Sequence, residues 1–519
     1  MNNKVHQTCV LSCLALACYL PPVYLFTDAL MLPKFYLLLL SVGCGGVMVI
    51  VASRQGWGEP AGKECLRTGS VAFVAVSVLE CLYVVMLMAM EGMPSRGVCG
   101  TFENPAGLAL GLCVAIPLAV HLMLTERKRW RQGMWVVALL LMVTVLWFTR
   151  SRTGLICLSV FLVVYACTGI HRLVCGKRVR LLLYAVLLAA ASAGMAAHVR
   201  SHKTDSTSGR AFILMRSWEL AMEHPFAGHG HGGFGREYML RQAAFFREHP
   251  DSRHAMLADD IRHPLNEFLL LWVEYGVAGP VLLLAVLLLP LRMALKRRRE
   301  ELRVMALPLV AVCLFSCFSY PFPYPVAWVV ACTAWMLMPA GIRLGSERTG
   351  RVALHAVLLA SVALIVLTVN DAVHEHLWYR AYRHSFREEG ALDEYGALHG
   401  YFCHDPYFLY SYAMASFKRG DLDRAERMIA ECGKFRNGYN RELLAGDICL
   451  YRKDFAGAAA HYRLANDMCP VRFAPLEGLY KVYDATGDTL RRQEVAARIA
   501  QKQVKVRSWD VERIRGRCQ

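Results

Sequence analysis

Apolar residues in this chain come in blocks, and the length of those blocks limits what the chain can fold into. Runs of roughly 16–25 mostly apolar residues alternate with short polar stretches, the length a helix needs to cross the hydrocarbon core of a bilayer. A segment inside lipid must satisfy its own backbone amides, and a helix does so within one segment. The blocks lie near 8–26, 35–53, 69–90, 106–125, 134–149, 154–174, 179–198, 273–294, 303–319, 323–340 and 351–370, about 11 spans. The composition agrees: 56% of the 519 residues are hydrophobic and 19% are charged, too apolar for an ordinary soluble enzyme of this size. The first block has the length of a signal peptide. No small-residue cleavage site follows it and further spans do, so it reads as a helix.

The net charge of +17 is informative only through its placement. If the chain alternates sides, six segments share one face: the N-terminus, 54–68, 126–133, 171–180, 292–303 and 341–351. Together they hold about 21 Lys and Arg, against about 4 in the short loops of the other face. ERKRWR (126–131) and KRRR (296–299) are the densest runs. Excess cation on cytoplasmic loops accounts for the basic balance, so a nucleic-acid partner is not needed to explain it. The same count places the N-terminus inside, and 199–262 and the tail after residue 370 outside. In a bacterium that is the periplasmic face of the inner membrane.

The tail has a different character. Residues 371–519 are charged, rich in Ala and Tyr, and helical in pattern. KRGDLDRAERMI (418–429), YRKDFAGAAAHY (451–462) and DATGDTLRRQEV (484–495) repeat one element, with Asp421, Asp454 and Asp488 spaced by 33 and 34 residues. That is the period of tetratricopeptide repeats, two helices per unit. Ala425 and Ala458 let helices approach closely four residues after the Asp, whereas Arg492 takes that place in the third unit, as in a capping repeat. A generic helical bundle is the plainer reading. Either way the tail is an α-helical domain that offers a surface to a periplasmic protein and carries no catalytic pattern. Most of the 19 cysteines lie within spans as small apolar groups. Cys403, Cys432, Cys449, Cys469 and Cys518 follow no CxxC spacing, and no bridge is assigned.

Between the spans and the tail, 208–276 is a long polar insertion crowded with Arg, His and Gly. Its aromatic and aliphatic residues recur at helical spacing, which argues against disorder. Arg210 and Arg216 open it, and Arg152 ends the preceding outer loop. An interfacial Arg can snorkel to lipid headgroups, but guanidinium groups converging on one surface suit a pyrophosphate through forked hydrogen bonds. GHGHGGFG (228–235) is a Gly-rich turn in which Gly228, Gly230 and Gly232 supply left-handed backbone. It has neither the Lys-Ser/Thr of a P-loop nor the strand of a dinucleotide site. A metal on His229 and His231 lacks a third ligand at helical spacing, so no metal is assigned. His263, in RHPLNEFL, titrates near working pH and suits a general base for a hydroxyl acceptor. A histidine satisfied at the interface is the plainer reading. Asp259, Asp260 and Glu267 are the competing carboxylates.

SGRAFI (208–213), HPFAGHGHGGF (224–234) and HPLNEFLLLWVEYGVAG (263–279) resemble, in this order and spacing, the loop-end motifs of the bacterial O-antigen ligase and O-antigen polymerase superfamily. SRTG (151–154) resembles the Ser-Arg pair that opens a family helix, and GTFENPAGLA (100–109) is similar to its outer-loop Asn-Pro element. The resemblance covers about Gly100 to Leu284. It implies an all-α, GT-C-like polytopic enzyme with a periplasmic repeat domain appended. Such enzymes move a glycan from an undecaprenyl-pyrophosphate carrier to a hydroxyl acceptor, lipid A–core or a protein, inverting the anomeric carbon without metal or other cofactor. Arg152 and Arg210, with Arg216, then hold the leaving pyrophosphate, and Arg210 and His263 are the catalytic pair. One position departs from the usual form, in which His directly precedes Asn: here Leu265 precedes Asn266, and the nearest His is His263.

Polymerase and protein O-oligosaccharyltransferase are alternatives within the same chemistry. A membrane-anchored repeat scaffold is an alternative of another class. A transporter fits less well, because the polar cluster lies on the outer loop rather than within the spans.

Overall fold

The computed structural model describes residues 2–54, 62–92, 97–167, 204–296, 300–338, 347–386 and 390–518. Every regular element among them is helical. The span expected at 179–198 and the basic segment 171–180 lie outside the described residues, as do parts of 54–68, 292–303 and 341–351. The chain divides into two compact units: 1–201 with 282–376, and 202–281 with 377–519. The polar loop thus groups with the tail, although about a hundred residues of membrane-type sequence separate them in the chain.

The first unit is a bundle of apolar helices: α1 (Asn2–Tyr19), α2 (Leu32–Arg54), α3 (Gly62–Glu91), α4 (Pro105–Thr125), α5 (Arg129–Phe148) and α6 (Arg152–Cys167). Six described helices of the chain are long and apolar enough to cross a membrane, and four more apolar helices are shorter. The helix α4 is the centre, burying every residue from Gly107 to Ala119. Its start is specified locally. Asn104 accepts from the amides of Ala106 (2.8 Å) and Gly107 (3.2 Å), and Pro105 fills the first helical position, where no amide partner is needed. The outer helices leave large apolar side chains such as Leu79, Leu140 and Leu359 uncovered by protein, the pattern of helices that face lipid.

The second unit begins in the loop. It contains α7 (Thr204–Glu223), α8 (Gly233–Glu248) and α9 (Glu267–Tyr275). The span expected from 273 does not run unbroken. Gly276 has φ +63°, α9 ends there, and the apolar helix α10 (Ala278–Lys296) starts two residues on. The reason is a turn that must close against another segment: the Val277 amide donates to Pro225 O at 2.9 Å, and a Cβ on Gly276 would strike the Phe226 carbonyl. Back in the first unit, α11 (Glu300–Val304), α12 (Ala306–Phe318) and α13 (Pro325–Met336) follow. Then α14 (Glu347–His384) continues well past the expected end at 370.

The tail is built from α15 (Ala391–Phe402) and helix pairs: α16 (Pro406–Lys418) with α17 (Leu422–Phe435), α18 (Tyr439–Tyr451) with α19 (Phe455–Met468), and α20 (Ala474–Ala485) with α21 (Thr489–Gln501). A last helix, α22 (Trp509–Arg517), closes it. The recurring aspartates are N-caps. Asp421, Asp454 and Asp488 accept from the amide three residues on at 3.0, 2.9 and 3.0 Å. The residue before each cap is left-handed: Gly420, Lys453 and Gly487 have φ of +80°, +64° and +72°. Ala425 and Ala458 are fully buried between helices, while Arg492 pairs with Asp484 outside the core. Cys403, Cys432, Cys449, Cys469 and Cys518 are free thiols.

Loop and tail share a core. Leu220, Phe234, Tyr238, Met239, Leu269 and Val273 of the loop pack with Tyr439, Ala465, Met468 and Cys469 of the tail. Burying aromatic side chains of this kind contributes about 1.5–3 kcal/mol each, so the shared core stabilises loop and tail together.

Candidate active site

The Gly-rich turn docks onto the end of α9. The amides of His229 and Gly230 donate to the carbonyls of Val273 (2.8 Å) and Glu274 (2.9 Å), which α9 leaves unpaired at its C-terminus. Gly228, Gly230 and Gly232 all have positive φ, from +69° to +80°, as expected for the turn. A Cβ on Gly228 would also collide with the Glu274 carbonyl, so this position needs glycine for space as well as for conformation. The histidines of the turn are engaged by protein: His229 Nε2 lies 2.9 Å from Leu220 O and His231 Nδ1 2.8 Å from the Tyr275 hydroxyl. No cluster of three metal-ligating side chains occurs among the described residues.

Arg210 lies near the start of α7 with an exposed side chain. Arg216 is six residues on, which turns it roughly 240° around the helix axis from Arg210. It pairs with Glu219 of its own helix at 2.6 Å, and its guanidinium lies 4.6 Å from the ring centroid of Phe245 on α8. The two arginines therefore occupy different faces of one helix. In the first unit, Arg152 opens α6 after a tight turn in which Arg150 is left-handed (φ +54°) and Ser151 Oγ accepts from the Gly154 amide at 3.2 Å.

At the other end of the loop, residues 259–265 have no regular structure. Asn266 then caps α9, its side chain accepting from the Leu269 amide at 2.9 Å, and Glu267 is buried in the first turn, where a carboxylate suits the positive helix end. Leu265 is the odd residue, with φ +58°. A branched side chain in the left-handed region costs roughly 1–2 kcal/mol, and such outliers persist where surrounding contacts over-determine them. The left-handed step separates His263 and Pro264 from the cap. It occupies the position at which the usual motif carries its histidine. Burial pushes the His263 imidazole down to about 4, so at neutral pH it is uncharged.

Of the carboxylates, Asp259 bonds Arg472 of the tail at 2.5 Å. Burial raises its pKa, but the Arg472 hydrogen bond and charge outweigh that and leave it below the usual carboxylate range. Asp259 is thus a fixed anion held by a partner. Asp260 follows it, its amide donating to Asp259 Oδ1 at 2.9 Å.

Residues 137–284 match the O-antigen ligase family. No curated protein matches the chain. The O-antigen ligase match runs from α5 to α10 and takes in Arg152, both loop arginines, the Gly turn and His263. It stops short of the tail. With the apolar helices it marks a membrane protein with a ligase-type, glycosyl-transferring role.

Two groups in this region carry no sequence signal. Gln242 and Arg472 hold the segment leading to His263, yet one is an isolated amide on α8 and the other lies more than two hundred residues away. Asn104 was legible only as part of an Asn-Pro element. The fold adds that its side-chain amide donates to the Tyr320 and Tyr324 hydroxyls at 2.7 and 2.6 Å.

Proposed function

We propose that this protein is an inverting, metal-independent membrane glycosyltransferase that moves a glycan from undecaprenyl pyrophosphate to lipid A–core at the periplasmic face of the inner membrane. The observation that carries this reading is the O-antigen ligase match over 137–284, which encloses the arginine, Gly-turn and His263 elements in order. Departure of a pyrophosphate requires stabilisation of developing negative charge, and fixed guanidinium groups supply it without a nucleotide or Mg²⁺. Arg152 and Arg210 are the groups assigned to that task. Arg216 is assigned with them, and it also pairs with Glu219 of its own helix and packs on Phe245 of α8. His263, neutral at working pH, takes the acceptor's proton. The orientation follows from the cation asymmetry of the loops, with about 11 spans and a repeat-type periplasmic tail.

Purified protein given undecaprenyl-pyrophosphate-linked glycan and lipid A–core should form the joined product in the presence of a chelator. Arg210→Ala should lower turnover by roughly a hundredfold or more. Unchanged transfer in that variant would overturn the arginine assignment. A glycan ladder on the carrier lipid, or a glycosylated Ser or Thr, would replace lipid A–core as the acceptor.

A further inference from the structure

We infer that the C-terminal helical tail positions the His263 end of the loop, with Gln242 and Arg472 as the positioning residues. The inference rests on the reading of His263 as the acceptor's base. The segment 259–265 lacks helical hydrogen bonds, so something other than its own backbone must set where His263 lies. Its far end is fixed by the Asn266 cap on α9. Its near end is fixed at Asp259, and both groups that hold Asp259 are tied to the tail.

Gln242, on α8, is fully buried. Its Nε2 donates to Asp259 O at 3.1 Å and to Met468 O at 2.6 Å. Both amide hydrogens are used, one on the loop segment and one on the end of the tail helix α19. A buried amide in this position cannot shift without leaving polar atoms unpaired, a loss that exceeds the net value of either bond. Arg472 follows α19 and bonds the Asp259 carboxylate at 2.5 Å, with its guanidinium 4.5 Å from the Tyr439 ring centroid. The backbone and side chain of Asn437 add bonds to Gly235 O (3.1 Å) and Arg236 O (2.9 Å) at the other end of α8. One face of the α18–α19 pair is therefore occupied by the chain's own loop. A general base must stand within hydrogen-bond reach of the proton it takes, and small displacements of such groups reduce rate steeply.

The test uses the full-length protein in lipid nanodiscs, with amide hydrogen exchange over 257–266 and transfer from undecaprenyl-pyrophosphate-linked glycan to lipid A–core. Gln242→Ala and Arg472→Ala should each speed exchange in that segment. They should lower kcat by roughly tenfold to a hundredfold, with the donor KM near its native value. The exchanged pair Asp259→Arg with Arg472→Asp should recover much of both. Because Arg472 is partly exposed, its variants keep the fold even if Gln242→Ala does not. Native exchange and native kcat in Arg472→Ala and Gln242→Ala, alongside an inactive His263→Ala, would overturn the positioning role and leave the base intact. Full transfer by His263→Ala would instead overturn the base reading, whatever the exchange data show.

Discussion

At the scale of single residues, two positions in RHPLNEFL concentrate the information. Leu265 holds a left-handed backbone that leucine accepts at some cost and that a β-branched residue accepts much less readily. Leu265→Val should therefore displace the His263–Asn266 turn and reduce transfer, while Leu265→Gly should keep it. Parallel turnover assays check the contrast, and equal activity in both variants would remove any role for this conformation. His263 has a depressed value of about 4 in the folded chain, against an ordinary value near 6.5. Between those values the unfolded chain binds the extra proton, so the site's stability is whole above pH 6.5 and declines as pH falls toward 4. The acid limb of the transfer profile should accordingly lie near pH 4. His263→Gln should flatten the melting temperature between pH 6.5 and 4, and a limb near 6.5 would show that the imidazole is solvated.

At the scale of elements, the tail shows how one turn is reused. Left-handed residue, Asp cap and helix recur at 420–421, 453–454 and 487–488, but the middle copy places Lys453 where the others have glycine. Lys453→Gly should raise stability by up to about 1 kcal/mol. Asp454→Ala should lower it by about 1 kcal/mol through loss of the cap. Thermal or denaturant unfolding measures both. In the loop, the junction of α9 and α10 depends on Gly276, whose left-handed backbone abuts the Phe226 carbonyl. Gly276→Ala should separate the Gly turn from α9 and destabilise the unit by more than about 1 kcal/mol, visible as faster exchange of the His229 and Gly230 amides.

At the scale of the whole molecule, loop and tail act as one unit because a single core crosses between them. Phe234 and Tyr238 from one part and Tyr439 and Met468 from the other are all buried in it. Truncating Met468 to Ala should cost about 2–5 kcal/mol. The loss should appear as faster exchange in α8 as well as in α19. Exchange that rises in α19 alone would show two independently stable parts. Coupling of this kind gives the appended helical domain, which the O-antigen ligase match does not reach, influence over a loop that lies within that match.

Much was legible from residues alone because it depends on local or one-dimensional properties. Apolar run length set the helices, cation counts set the expected orientation, and the recurring Asp marked the tail's period of 33 and 34 residues. Gly228, Gly230 and Gly232 announced a turn because few other residues tolerate that backbone. The broken span at Gly276 was not legible, since a glycine in an apolar run signals a stop only when another segment closes on it, here Pro225 and Phe226. Nor was the left-handed Leu265, or the pairing of Asp259 with Arg472, since no local pattern distinguishes a committed carboxylate from a free one. The sequence by itself determined an all-helical membrane protein with a ligase-type, glycosyl-transferring role. Only the tertiary structure decided that the loop belongs with the tail, because contacts between residues two hundred positions apart leave no periodic trace in the chain.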